Sequence, residues 1–227
     1  MTTKCAALED TNRIIVTDRM FVVDVKDASF ANHLFVRVAA KRQRFVKVDF
    51  KYSLFDTCYF RNCVFDSCDF TGCRFSGSSL HGSTFSGCTF DYSTFERSIV
   101  ANDILDTGCP RAENLKMRFA RTLRMNYQQL GDAESVNKAI GVELQATAVH
   151  LYKAWRSNER YYREKYKGCE RIKMVEKWAS FKTLDLIWGN GESYLKLLRA
   201  TAVAMITIAV FDATLFRDPK GAGSFLA

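Results

Sequence analysis

Apolar side chains recur at every fifth position without a slip between residues 45 and 105. They are Phe45, Phe50, Phe55, Phe60, Phe65, Phe70, Phe75, Leu80, Phe85, Phe90, Phe95, Val100 and Leu105. Two residues before most of these centres stands a second, mostly small residue: Val48, then Ser53, Cys58, Cys63, Cys68, Cys73, Ser78, Ser83, Cys88, Ser93 and Ser98. The positions between are mostly polar, as at Asp56, Thr57, Arg61, Asn62 and Asp66. A period of five fits neither a helix nor a strand. It predicts a repeat architecture in which each five-residue unit is one short side of a coil. The centre points to the axis and fills it. The residue two before it points inward at a narrower place, and the rest face water. Successive turns stack at the ~4.8 Å of a parallel ladder, and each turn buries the face of the next.

The pattern loosens on both sides. Upstream, Ala28 and Phe30 fit a unit, His33 and Phe35 keep only the centre, and Ala40 and Gln43 fit poorly. Residues 1–26 carry Ile14-Ile15-Val16 and Phe21-Val22-Val23, read as short strands or an N-terminal cap over an open sheet edge. Downstream, Asp103 and then Pro110 spoil the register. Pro110 has no N–H for a ladder and is expected to end the stack.

Beyond Pro110 the spacing of apolar residues changes to three and four. One helix is expected over residues 114–130, ended by Gly131-Asp132, and a long one over residues 133–167, with a stripe of Ile140, Leu144, Ala148, Leu151 and Trp155. After Gly168, a third is expected over residues 169–188, closed by the turn Gly189-Asn190-Gly191. A last element begins near Glu192. Its uncharged run ATAVAMITIAVF at 200–211 continues through Asp212 to Phe216. As a helix of about 1.5 Å per residue it reaches the lower limit of a bilayer span. Ala200, Thr201, Met205, Ile206, Ile208 and Asp212 are its marker positions, with Lys196 and Arg199 at one end and Arg217 at the other to snorkel. Thr201 and Asp212 lie about three turns apart and share a face. A buried core or dimerisation helix is the alternative. Asp212 argues against a span unless it lies near the interface.

The five-residue unit resembles the pentapeptide-repeat family, whose pattern is small, polar, Leu or Phe, polar, polar. The resemblance implies a right-handed quadrilateral parallel β-helix with four units to a rung. The fold class expected is therefore a β-solenoid followed by an α-helical region with a C-terminal transmembrane helix. The divisions expected are an N-terminal cap at 1–26, the β-helix at 27–110, a basic helical linker at 111–191, and a membrane helix with a short tail at 192–227. A second resemblance is to bacterial pentapeptide-repeat proteins that continue through a helical linker and a Gly-x-Gly-Glu turn into membrane helices, some of them channel modules. LRMNYQQLGD at 123–132 and GNGE at 189–192 carry it. The sequence holds no pore-loop motif such as TVGYG.

Charge is unevenly placed. Residues 1–110 hold 13 Lys and Arg against 13 Asp and Glu, whereas residues 111–199 hold 18 against 10. The excess lies on the helices before the apolar run, which fits a cytoplasmic N-terminal side and contact with anionic lipid. Of the eight cysteines, five occupy small-residue slots, and the N-terminus lacks the apolar core of a signal peptide. Reduced thiols in a bacterial cytoplasm are expected. Four of them, Cys58, Cys63, Cys68 and Cys73, would face inward at one level, matching a tetrathiolate site in number. The C-x4-C spacing and the serines in equivalent slots favour simple packing. His33, His81 and His150 are far apart, with no nucleophile or carboxylate at catalytic spacing; His150 is expected in solvent. No enzyme activity, cofactor, metal or specific nucleic acid is expected.

The function expected is a non-enzymatic scaffold, anchored in the bacterial inner membrane and presenting a cytoplasmic solenoid to an unknown protein partner. One alternative is an oligomeric membrane effector or channel-like protein. Another is a soluble topoisomerase-binding DNA mimic, as some family members are. A homo-oligomer is compatible with each.

Overall fold

The computed structural model describes residues 13–215. The chain falls into two compact units, 1–150 and 151–227. In the first, short strands pair in parallel with strands about one turn later, and Phe55, Phe75 and Phe95 are direct ladder partners. The spacing of 20 residues is the four-unit rung that the resemblance implied. The first side is a five-stranded sheet whose strands run from Ile14–Thr17 to Thr94–Glu96. The second and third sides have three and four strands. The fourth is joined by single bridges, Ser29 to Asp49 to Asp69 to Thr89.

All eleven centres expected to form the core, from Phe45 through Leu80 to Phe95, are at most 4% exposed. Rings stack along each column: Phe55 lies over Phe75 at 4.7 Å and Phe75 over Phe95 at 4.8 Å, both nearly coplanar. Between columns the same rings meet edge to face, as Phe65 does with Phe70 at 5.5 Å. Each buried ring contributes about 2–3 kcal/mol. The second side lacks this continuity because Ala40, Leu80 and Val100 break its aromatic column. Phe21, from the turn before, leans over Ala40 to within 6.4 Å of Phe60 and fills the space.

The segment expected as a cap supplies, from Ile14 onward, the first turn of the coil itself, since Val16 pairs with Phe35, Phe21 with Ala40 and Val25 with Phe45. Residues 1–12 lie outside the described residues. The register was hidden because Phe21 and Val25 are four residues apart, so the five-residue count slips there. At the other end, the centre at Leu105 is buried but belongs to a helical turn, α1 (Ile104–Thr107), not to a strand. The coil therefore ends with the side at Val100.

Two helices expected in the linker belong partly to this unit. Helix α2 (Glu113–Leu130) lays Phe119 against Phe90 and Phe95, at 5.7 and 6.1 Å. Its C-terminus is closed by Gly131 in the left-handed conformation. Helix α3 (Ala133–Arg156) places Ala139 in the same core, and Glu143 pairs with both Arg121 and Arg124. His150 on α3 is buried, not solvated as expected.

In the second unit, the single long helix expected over 133–167 is broken. After α3 comes a non-helical link at 157–159, then α4 (Arg160–Lys165). The Ser157 hydroxyl accepts the Glu159 N–H, and Glu159 is paired with Lys153, so the backbone leaves the helix there. Tyr162 and Met174 pack with Ala154, Leu151 and Trp155. Helix α5 (Cys169–Trp188) and helix α6 (Tyr194–Leu215) meet at the Gly189–Gly191 turn.

Candidate interaction faces and the apolar helix

The coil turns its corners by a local rule. The residue two after each centre, from Asp18 to Arg97, has φ between +47° and +69°; the one exception is after Phe21. Such a backbone costs about 1–2 kcal/mol for a residue with a Cβ. Gly72, Gly77, Gly82 and Gly87 stand at four successive corners, and their spacing of five is a turn signal already visible in the chain.

The inward slot is small for lack of room, and polar for a second reason. At most slots the side chain donates to the carbonyl of a centre one turn earlier: Ser78 to Phe55 at 3.0 Å, Ser83 to Phe60 at 2.8 Å, Cys73 to Phe50 at 2.9 Å. At Ser53, Ser78, Ser83 and Ser98 the hydroxyl also accepts an N–H, as Ser78 does from Cys58 at 2.9 Å. Backbone groups that the short strands leave over are thus satisfied inside the coil. The thiols of Cys58, Cys68 and Cys73 each meet such a carbonyl. Burial pushes Cys58 up to about 11 and Cys73 up to about 12. Among the described residues no group of three or more His, Cys, Asp or Glu is arranged to hold a metal ion.

At the end of the stack Asn126 replaces a rung. Its amide accepts the Ser98 N–H and donates to the Ser98 carbonyl, both at 2.8 Å, at a site 1% exposed. Sequence reading missed this residue; its only signal was a carboxamide on a helix following a repeat.

The net charge of zero over residues 1–110 conceals a sorted surface. Outward positions flank each centre. On the second side they carry Lys41, Arg61 and His81 after the centres, with Arg19 and Arg42 near the corners and no acidic residue. Among the described residues, neither Lys41, Arg61 nor His81 has an ion pair. Before the centres the same side alternates large and small: Met20, Ala39, Tyr59, Ser79, Ile99. Met20, Tyr59 and Ile99 are 54%, 57% and 48% exposed, and the rows enclose a shallow groove of about 490 Å³. The fourth side lies opposite and is acidic. Asp49 and Asp69 share Lys51, at 3.9 and 3.2 Å, and burial together with Asp69 raises the Asp91 carboxyl. Cations on the first side are neutralised, Arg37 by Asp18 and Arg74 by Glu96.

The second unit holds the other candidate feature. Of α6, residues Tyr194–Thr214 have a mean hydropathy of 1.6, and none of their apolar window is buried. Thr201, Met205, Ile206, Ile208 and Asp212 are exposed and Ala200 is half-buried. Phe216 and Arg217 lie outside the described residues. Thr201 and Thr207 each donate to the carbonyl four residues earlier, at 3.0 and 2.8 Å, so their hydroxyls are satisfied within the helix. The two cations expected to snorkel are engaged locally: Lys196 with Asp185 at 2.9 Å, and Arg199 with the Leu186 carbonyl at 2.7 Å. They fasten the end of α5 to the start of α6.

Comparison with curated proteins gives no match. Two family models, both described as pentapeptide repeats, match residues 44–82 and 65–103. These matches lie on the four-sided coil itself, from the centre at Phe45 to the side at Val100. By sequence match and by structure, residues 44–103 are a pentapeptide-repeat solenoid.

Proposed function

We propose that this chain is a non-enzymatic interaction scaffold, held at a bacterial inner membrane by α6 with the solenoid on the cytoplasmic side. The observation that carries the reading is the wholly unburied apolar surface of residues Tyr194–Thr214. Soluble proteins rarely leave so large an apolar patch in water. A helix of 21 residues spans about 30 Å, the thickness of a bilayer core. Satisfied threonine hydroxyls suit that setting, where water is not at hand to pair them. Asp212, near the end of the span, is placed for an interface. The excess of Lys and Arg before α6 favours a cytoplasmic N-terminal side. The solenoid contributes rigid, flat faces of repeating side chains, the usual basis of recognition in repeat proteins.

Fractionation tests the anchor. The full chain should sediment with membranes and resist alkaline extraction, and a chain ending at Gly191 should be released. A full chain that stays in the aqueous fraction without detergent overturns the reading.

A further inference from the structure

We propose that the second side of the solenoid is the docking surface, and that it takes an acidic amphipathic helix from a partner protein. This deepens the scaffold reading and rests on it. The geometry is that of two parallel rows. One is a row of polar side chains on successive turns, the cations Lys41 and Arg61 followed by His81, with no acidic residue on that side to neutralise them. The other alternates knobs at Met20, Tyr59 and Ile99 with notches at Ala39 and Ser79. Turns repeat at ~4.8 Å, so the two notches, two turns apart, lie about 10 Å from each other.

That spacing selects the ligand. Two turns of an α-helix advance about 10.8 Å, so apolar side chains at i and i+7 reach both notches. An extended strand repeats its same-face side chains at about 6.8 Å and misses the second notch. A helix lying along the stack with carboxylates on its adjacent edge would meet the cation row at the same time. Helices seated by spaced apolar anchors are an established recognition mode. A lipid headgroup plane would engage the cations but has no use for notches. The opposite side, with its aspartates, would repel the same ligand and so fixes which face is used.

The test is a display library of helix-forming 18-residue peptides randomised on the surface, selected on the purified full chain in neutral detergent. Enriched peptides should be net acidic, with apolar residues seven apart. Their retention should fall at least tenfold on the double variant Lys41→Glu/Arg61→Glu, and similarly on Ser79→Trp, which fills a notch. Lys47→Glu, at the corner after the third side, should leave retention unchanged. These side chains point outward, and unchanged circular dichroism would show the coil intact. No enrichment over bare resin, enriched peptides without net negative charge, or full retention on the double variant overturns the proposal. Displacement of the peptides by mixed micelles containing phosphatidylglycerol would assign the face to lipid and also overturn it. None of these outcomes bears on the membrane fractionation of α6, so the two proposals fail separately.

Discussion

Replacing Asn126 with alanine should destabilise the solenoid more than any other single change on α2 outside its apolar face. The carboxamide closes the last rung by pairing with both backbone groups of Ser98, at 2.8 Å each, where water does not reach. Alanine leaves one buried N–H and one buried carbonyl unpaired, at about 1–3 kcal/mol each. Its better helix propensity returns about 0.5 kcal/mol. The net loss should be about 3 kcal/mol, or a fall in Tm of roughly 6–12 °C for a unit of this size. Gln129 is the internal control. It accepts the Arg97 N–H at 3.1 Å but in the open, where water takes its place, so Gln129→Ala should cost about 0.5 kcal/mol. Asn126→Asp keeps the acceptor but turns a carboxylate oxygen toward the Ser98 carbonyl, and should be no more stable than the alanine variant at neutral pH. Thermal unfolding followed by far-ultraviolet circular dichroism, with hydrogen exchange at Ser98, measures all three. Equal melting temperatures for the Asn126 and Gln129 alanine variants would refute the capping role.

Ser78→Ala removes one donor and one acceptor inside the coil and should cost about 2 kcal/mol, whereas Ser78→Cys, which keeps the donor, should cost less than half as much; denaturant unfolding distinguishes them. Gly77→Ala has open space, its nearest neighbour being Thr57 at 4.0 Å, and should cost about 1 kcal/mol from its φ of +56° alone. Gly72→Ala must in addition turn aside the Tyr52 ring, 2.6 Å from the new Cβ, and should melt lower still. Cys58 and Cys73 should resist maleimide at neutral pH while exposed Cys169 reacts, as peptide-resolved mass spectrometry would show. Because burial raises these two thiols above the ordinary 9.0, their contribution to stability is whole below pH 9 and is lost as pH rises toward 11–12. Unfolding midpoints should therefore decline on the alkaline side.

The coil was legible because its period admits no other secondary structure. Each Phe from Phe45 to Phe95 named its own place, and each small slot confirmed it. The first turn was not, since one missing residue between Phe21 and Val25 destroys a count of five without disturbing the stack. The charge sorting escaped for a related reason: Lys41 and Arg61 are twenty residues apart, and only once the rung length is fixed do they become neighbours. The break at Ser157 also escaped, because its cause is a local hydrogen bond competing with a run of good helix formers. Asn126 shows the remaining limit. A cap works through tertiary proximity to Ser98, 28 residues away, and no local pattern encodes it.

Two-sided thiol labelling bears most directly on whether α6 crosses a bilayer. In a Cys5→Ser/Cys169→Ser background, Ser193→Cys and Lys220→Cys would be probed with a membrane-impermeant maleimide on intact spheroplasts and on inverted vesicles. A spanning α6 gives opposite results at the two sites: Lys220→Cys labels in spheroplasts and Ser193→Cys in inverted vesicles. Labelling of both positions from the same side would contradict a membrane-spanning anchor and leave the helix lying on a surface.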